Sequence, residues 1–377
     1  MYISTLTDLT AFCERAAAHA AIAVDTEFLR ERTYHPRLCL VQVATPEECA
    51  VIDPLELEDT APLAALLTDP AVMKVFHACT QDMEVIHHAL GVLPAPIFDT
   101  QVAAAFLGER LQISYSGLVH AFCGVDLPKS ESLTDWSRRP LTPEQVEYAL
   151  DDVRYLIEAY AVIEGRLAAQ GRMGWVADEI APLTRLDHYV TDPRDAYRRV
   201  KRVNSLTRRQ QAVARELAAW REGRAAALDI PRKWVISDEV LIALARRPPK
   251  TAAELKRVRG TEQLTDRDIE VALAAVARGA RCPAANLPNM ARVRRSSSPE
   301  LESVTDLMFA LLRLVSERSG VATAIIASRD DLLDYIDHPE RSPLRDGWRF
   351  ELVGTLIDDL LAGDIGLTVK DGKLEML

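Results

Sequence analysis

The sequence predicts an α/β domain built on a mixed sheet, followed by one or two all-α helical domains. Three observations carry that expectation. Over roughly the first hundred residues, short runs rich in Val, Ile and Leu alternate with stretches of helical period. Two of those runs lie too close together for a crossover and read as a hairpin, so the sheet is mixed rather than purely parallel. After Asp99 the apolar spacing turns helical and stays so.

In chain order, residues 21–28, 38–44, 50–53 and 72–76 read as strands, and 7–18, 61–67 and 80–90 as helices. A helix from Pro143 carries a complete start signal: Thr142 at the N-cap, Pro143 at the first helical position, Gln145 closing a capping box. The first domain is expected over 1–170. Residues 171–205 are polar and broken by Gly171, Gly174, Pro182 and Pro193, the composition of a linker. Residues 206–282 read as a compact helical unit with turns at Pro231, Pro248-Pro249 and Gly260. A second linker, 283–299, contains Pro283, Pro288, Pro299 and Ser296-Ser297-Ser298. The remainder, 300–377, is again helical in period and is a candidate second helical domain, a divergent copy with little residue-level repetition.

With 377 residues, 48% of them hydrophobic and 27% charged, the chain has ample material for folded cores and excludes a disordered polymer. No apolar run approaches the roughly 18 residues of a membrane span, and the first residues lack a signal-peptide layout. Six cysteines without a C-x-x-C pair read as reduced, mostly buried thiols of a cytoplasmic protein with no membrane partner. The net charge of −11 conceals an asymmetry: residues 194–295 hold 24 Lys and Arg against 11 Asp and Glu. A basic segment on an acidic body suits a protein that gathers cations in one place and a polyanion in another.

Three short motifs stand out. In Val24-Asp25-Thr26-Glu27-Phe28, at a strand end, alternation puts both carboxylates on one face, where a hard divalent cation relieves their repulsion. In His77-Ala78-Cys79-Thr80-Gln81-Asp82, Thr80 reads as an N-cap and Asp82 falls in the first helical turn, which the helix dipole alone would favour. In Tyr148-Ala149-Leu150-Asp151-Asp152, Tyr148 and Asp152 share a helix face, and Asp151 points about 100° away. Each motif is weak alone; solvated acids and a packed tyrosine explain them one at a time.

Their order, D-x-E, then D, then Y-x-x-x-D, resembles the tyrosine-bearing branch of the 3′→5′ exonuclease superfamily named for its Asp-Glu-Asp-Asp quartet, and within it the ribonuclease D family. The stretches Leu38-Cys39-Leu40-Val41-Gln42, Val75-Phe76-His77-Ala78-Cys79, Phe98-Asp99-Thr100-Gln101 and Asp135-Trp136-Ser137-Arg138-Arg139-Pro140-Leu141 are similar to that family as well. Trp220-Arg221, Pro231 and Asp238-x-x-Leu241 resemble a nucleic-acid-binding domain shared with certain helicases.

The resemblance implies a ribonuclease H-like exonuclease domain. It implies two divalent metal ions, Mg or Mn, held by Asp25, Glu27, Asp82 and Asp152, with Tyr148 orienting the attacking water. It further implies release of nucleoside 5′-monophosphates from structured RNA with a free 3′ end, transfer-RNA precursors in particular. Phe28, Gln42, His77, Trp136, Arg138 and Arg139 are the candidate substrate contacts. Asp99 reads better as a helix N-cap than as a fifth ligand. Arg194, Arg198, Arg199, Lys201, Arg202, Arg208, Arg209, Arg215 and Arg221 would grip RNA phosphates. A DNA-directed 3′→5′ exonuclease and a catalytically silent RNA-binding scaffold are the alternatives.

Overall fold

A computed structural model describes residues 1–127, 134–190, 192–288 and 298–377. Six strands form one sheet: β1 (Tyr2–Ile3), β2 (Ala21–Leu29), β3 (Arg37–Ala44), β4 (Cys49–Ile52), β5 (Met73–Phe76) and β6 (Ile97–Asp99), in the order β1-β4-β3-β2-β5-β6. The pairs β2–β3 and β3–β4 are antiparallel; β1–β4, β2–β5 and β5–β6 are parallel, so the sheet is mixed, as the close spacing of β3 and β4 requires. The edge strands β1 and β6 were absent from the sequence expectation because two or three residues are too few to display a period.

Helices α1 (Leu6–Ala16), α2 (Ala61–Thr68) and α3 (Thr80–Leu90) lie within two residues of their expected bounds. Cys79, not Thr80, is the N-cap of α3; Asp82 remains in its first turn. Helices α4 (Thr100–Ala105), α5 (Tyr115–Cys123), α6 (Pro143–Arg154) and α7 (Leu156–Ala169) follow. Both halves of the Thr142–Gln145 capping box are made, at 3.2 and 2.8 Å. Helix α6 lies across β2, β3 and β4, while α7 packs on β2 and β5.

The described residues of the expected linker 171–205 are folded and shared between two cores. Helix α8 (Met173–Ile180) contributes Val176 and Ile180 to the core around the sheet, whereas Ala196, Tyr197, Val200 and Val203 join the core of the helical unit. That unit centres on the long helix Arg208–Leu228, against which Asp238–Arg246 and Asp266–Ala280 pack. Of the second expected linker, residues 289–297 lie outside the described part of the chain.

The C-terminal stretch shares the sheet domain's core. Met308, Leu311 and Leu312 of the helix Pro299–Ser319, together with Tyr335 and Trp348, are buried in continuity with it. Trp348 stacks on Trp175 at 5.4 Å and meets Phe106 edge-on at 4.9 Å. The Ala322 N–H donates to the Ala105 carbonyl at 2.8 Å, and the Arg172 guanidinium bridges the carbonyls of Phe106 and Ser319. The stretch ends in a hairpin, β7 (Leu367–Lys370) and β8 (Lys373–Met376), which the helical period did not announce.

Candidate active site

Strand β2 outruns its parallel neighbour. Its pairing with β5 ends at Ala23↔Val75, so from Val24 onward one edge of β2 is free, and Asp25, Thr26 and Glu27 occupy that stretch. On the other edge Asp25 is paired with Gln42 and Glu27 with Leu40, and then a β-bulge inserts Cys39 between the partners of Glu27 and Phe28. Leu40 packs with Ala149 and Tyr148, so the face bearing Asp25 and Glu27 is the face covered by α6.

Asp82 reaches the site from α3 through a turn held by Asp99. The Asp99 carboxylate accepts the N–H groups of Ala78 (3.2 Å) and Cys79 (2.8 Å) and also caps α4 through Gln101 (2.9 Å) and Val102 (3.2 Å). Ala78 sits at φ +63°, a left-handed backbone that a non-glycine residue adopts at a cost; the two bonds to Asp99 hold it there. Asp99 is thus committed to backbone. Asp82 is buried and accepts a hydrogen bond from the Thr26 hydroxyl.

The four acids sense one another. Burial, followed by the charges of Asp82, Asp152 and Glu27, raises Asp25 well above the usual carboxylate range. Burial, then Asp152 and Asp82, pushes Glu27 up to about 8. Burial brings Asp82 up to about 7 against the pull of the Thr26 hydrogen bond, and Asp152 up to about 6 against the hydrogen bond to Tyr148. Tyr148 and Asp152 therefore meet, one helical turn apart. Asp151 points elsewhere and pairs with Arg154.

Tyr148 is held from behind. Its ring stacks on Trp136 at 5.8 Å with 27° between the planes, and Trp136 is only 7% exposed. Arg139 anchors the same segment: its guanidinium grips the fully buried carboxylate of Asp53 with two nitrogens and donates to the carbonyls of Trp136 (2.7 Å), Arg138 (2.8 Å) and bulged Cys39 (3.0 Å). Tyr2 donates to the same Asp53. Trp136 and Arg139, candidates for substrate contact, are turned inward, while exposed Arg138 pairs with Asp135. His77 has one ring nitrogen 3.0 Å from the Thr100 hydroxyl and the other 3.0 Å from the Ile113 carbonyl. Phe28 is half-buried against the main core, and Gln42 is fully buried.

Two residues near the site were not singled out from sequence. Thr26 was hidden inside the D-x-E motif as a spacer. Tyr115 donates to the Asp151 carbonyl at 3.0 Å and accepts the Tyr155 N–H at 3.4 Å, fixing the joint between α6 and α7; nothing in its local sequence marks it.

Among the described residues, no three acidic, imidazole or thiol side chains are drawn in to ligating distance of one point. The donor set nevertheless suits a hard cation: four carboxylates, no soft ligand, and burial with neighbouring negative charge that a divalent ion would offset.

In the basic segment, several arginines have internal partners. Arg221 is buried against Asp238 and the Ile236 carbonyl; Arg194, Arg215 and Arg278 surround Glu216; Arg208 and Arg209 donate to carbonyls at 282–288. Arg198 pairs with Asp195. Arg199, Lys201 and Arg202 have exposed side chains.

Comparison with known proteins matches residues 1–168 to a 3′–5′ exonuclease family model and residues 210–270 to an HRDC domain. The chain is 42% identical to ribonuclease D of Jannaschia sp. (strain CCS1), covering 100% of this chain and 98% of that one. It is 40% identical to ribonuclease D of Acidiphilium cryptum, over 100% and 96%. The crystal structure of Escherichia coli RNase D, described as an exoribonuclease involved in structured RNA processing, superposes with a TM-score of 0.81 at 34% identity, over 96% and 98% of the two chains.

Proposed function

Given that this chain belongs to the ribonuclease D family and is a 3′→5′ exoribonuclease, we propose that its chemistry resides on Asp25, Glu27, Asp82, Asp152 and Tyr148. The observation that carries this reading is that Asp25 of β2 lies within the fields of Asp82 from α3, Asp152 from α6 and its strand neighbour Glu27, with Tyr148 hydrogen-bonded to Asp152. Two divalent ions, Mg²⁺ or Mn²⁺, would be held by the four carboxylates. When bound, they supply a water activated near neutral pH and charge neutralisation at the phosphorus and leaving oxygen. Four negative charges against two divalent ions leave no net charge, so the carboxylates would no longer repel the RNA phosphate. The Tyr148 hydroxyl, held by Asp152 and backed by Trp136, orients the attacking water. The products are nucleoside 5′-monophosphates.

We further propose structured RNA with a free 3′ end, transfer-RNA precursors among it, as substrate; the RNase D of E. coli, similar over nearly its whole length, is described as an exoribonuclease involved in structured RNA processing. Exposed Arg199, Lys201 and Arg202 beside the helical domain suit phosphate contacts, as does Arg138 nearer the site, and half-buried Phe28 suits a contact with the terminal base.

The test is hydrolysis of a labelled single-stranded RNA with and without Mg²⁺ or Mn²⁺, beside a DNA of matched sequence. Asp25→Asn and Asp152→Asn should be inactive with intact folding, and Asp151→Asn, which loses only its contact with Arg154, should stay active. Inactivity of Asp151→Asn alone would reverse the assignment of the helix face, and equal cleavage of the DNA would favour the broader exonuclease.

A further inference from the structure

Gln42 is 0% exposed, and neither its amide nitrogen nor its amide oxygen has a hydrogen-bond partner. A buried amide left unsatisfied destabilises a fold, and an apolar residue of similar volume would avoid the loss. Its neighbours make the position odder still. Gln42 is paired with Val51 on one side and with Asp25 on the other, and Leu40, Val51 and Ala149 around it form a small apolar cluster under α6. Directly opposed residues in an antiparallel pair bring their Cβ atoms to about 5 Å, within reach of a glutamine amide. Being enclosed, Gln42 does not reach a nucleotide. The polar group whose orientation it can set is the Asp25 carboxylate.

We propose that Gln42 is a positioning residue for Asp25: its amide is held uncommitted beside that carboxylate and donates to it when Asp25 turns to hold a divalent ion. The inference rests on the carboxylate site proposed above and adds to it the device that orients one of its ligands. It accounts for both halves of the observation, a glutamine kept in an apolar cluster and an amide with no hydrogen-bond partner.

The experiment uses the full-length chain stripped with EDTA and titrated with Mn²⁺, the free ion being followed by electron paramagnetic resonance and the protein by thermal melting. Gln42→Leu should melt no lower than the parent without ion, because it removes an unsatisfied amide. It should need roughly 10-fold or more Mn²⁺ to reach half-saturation, the worth of a hydrogen bond to a charged group. Asp25→Asn serves as the control for the site itself. Mn²⁺ uptake by Gln42→Leu at the parent's midpoint overturns the inference, provided that Asp25→Asn has lost uptake. If the parent takes up no Mn²⁺, or Asp25→Asn takes it up unchanged, the carboxylate reading falls and the inference with it. Should Gln42→Leu fail to fold, Gln42→Met provides the same comparison; failure of both to fold shows a structural role and also overturns the inference.

Discussion

Glu27, pushed up to about 8, and Asp82, up to about 7, resist ionisation because burial and neighbouring negative charge oppose it. In the unfolded chain these carboxyls ionise near pH 4. Below that pH they are protonated in both states and the fold carries no penalty. As pH rises toward about 8 the unfolded chain releases its protons while the folded site holds them, so the folded state binds more protons and stability falls. The metal-free protein should therefore lose stability between pH 5 and pH 8, opposite to the trend for a salt-bridged carboxylate. Denaturant melts in EDTA at the two pH values check it; higher stability at pH 8 would show that the acids do not repel one another. Saturating Mg²⁺ should erase the loss, since the ion takes the protons' place. Spacing showed that Asp25 shares a face with Glu27 and Tyr148 with Asp152, and the order of the three motifs, through the family it resembles, joined Asp82 to them. Gln42, Trp136 and Arg139 were legible only as nearby residues, since spacing says nothing about which side of a strand or loop faces the protein.

At the scale of elements, the segment 134–141 works as a clasp on the sheet. Arg139 joins it to Asp53 at the end of β4 and to the carbonyl of bulged Cys39, and Trp136 supports Tyr148. Arg139→Met leaves the buried Asp53 carboxylate without its cation, and a broken buried pair costs about 3–5 kcal/mol; chemical denaturation measures the loss. Trp136→Leu removes the support for the Tyr148 ring while leaving the carboxylates in place. Its kcat on a short oligonucleotide should fall by roughly 10-fold at little change in KM, the pattern of an interaction made only in the transition state. A rise in KM at full kcat would return Trp136 to the role of a substrate contact. The bulge belongs to the same unit: an extra residue on β3 bends the strand beside the active face and frees a carbonyl that Arg139 then occupies.

Across the whole molecule, the helical unit and the C-terminal stretch stand in different relations to the sheet domain. The helical unit has its own core and touches the loop between β2 and β3: the Tyr34 hydroxyl donates to Glu222 at 2.7 Å, and Asp229 accepts the N–H groups of Tyr34 (3.1 Å) and His35 (3.2 Å). The C-terminal stretch instead completes the sheet domain's core through Met308, Leu311, Tyr335 and Trp348. Ending the chain at residue 298 should thus expose a large apolar surface and destabilise the exonuclease domain by more than about 5 kcal/mol, with aggregation. Replacing 206–281 by a flexible linker should leave the exonuclease domain folded and weaken binding of structured RNA, with a shallower salt dependence as phosphate contacts are lost. Thermal melting and filter binding at two salt concentrations separate the two outcomes, and equal damage from both deletions would refute the division.

The order of β2 to β5 and of helices α1 to α3, the capping box of α6 and the compact helical unit followed from the chain alone, and motif order singled out the four acids and the tyrosine proposed as the site. Each is written in local spacing, caps or motif order, which neighbouring residues set between themselves. Tertiary structure decided what depends on residues distant in sequence. It placed Asp53 under Arg139, set Asp99 across the turn before α3, folded the expected linker into two cores, and joined the last eighty or so residues to the first domain. Those are long-range packing choices: an apolar helix face records that it must be buried, and only the folded chain determines against what.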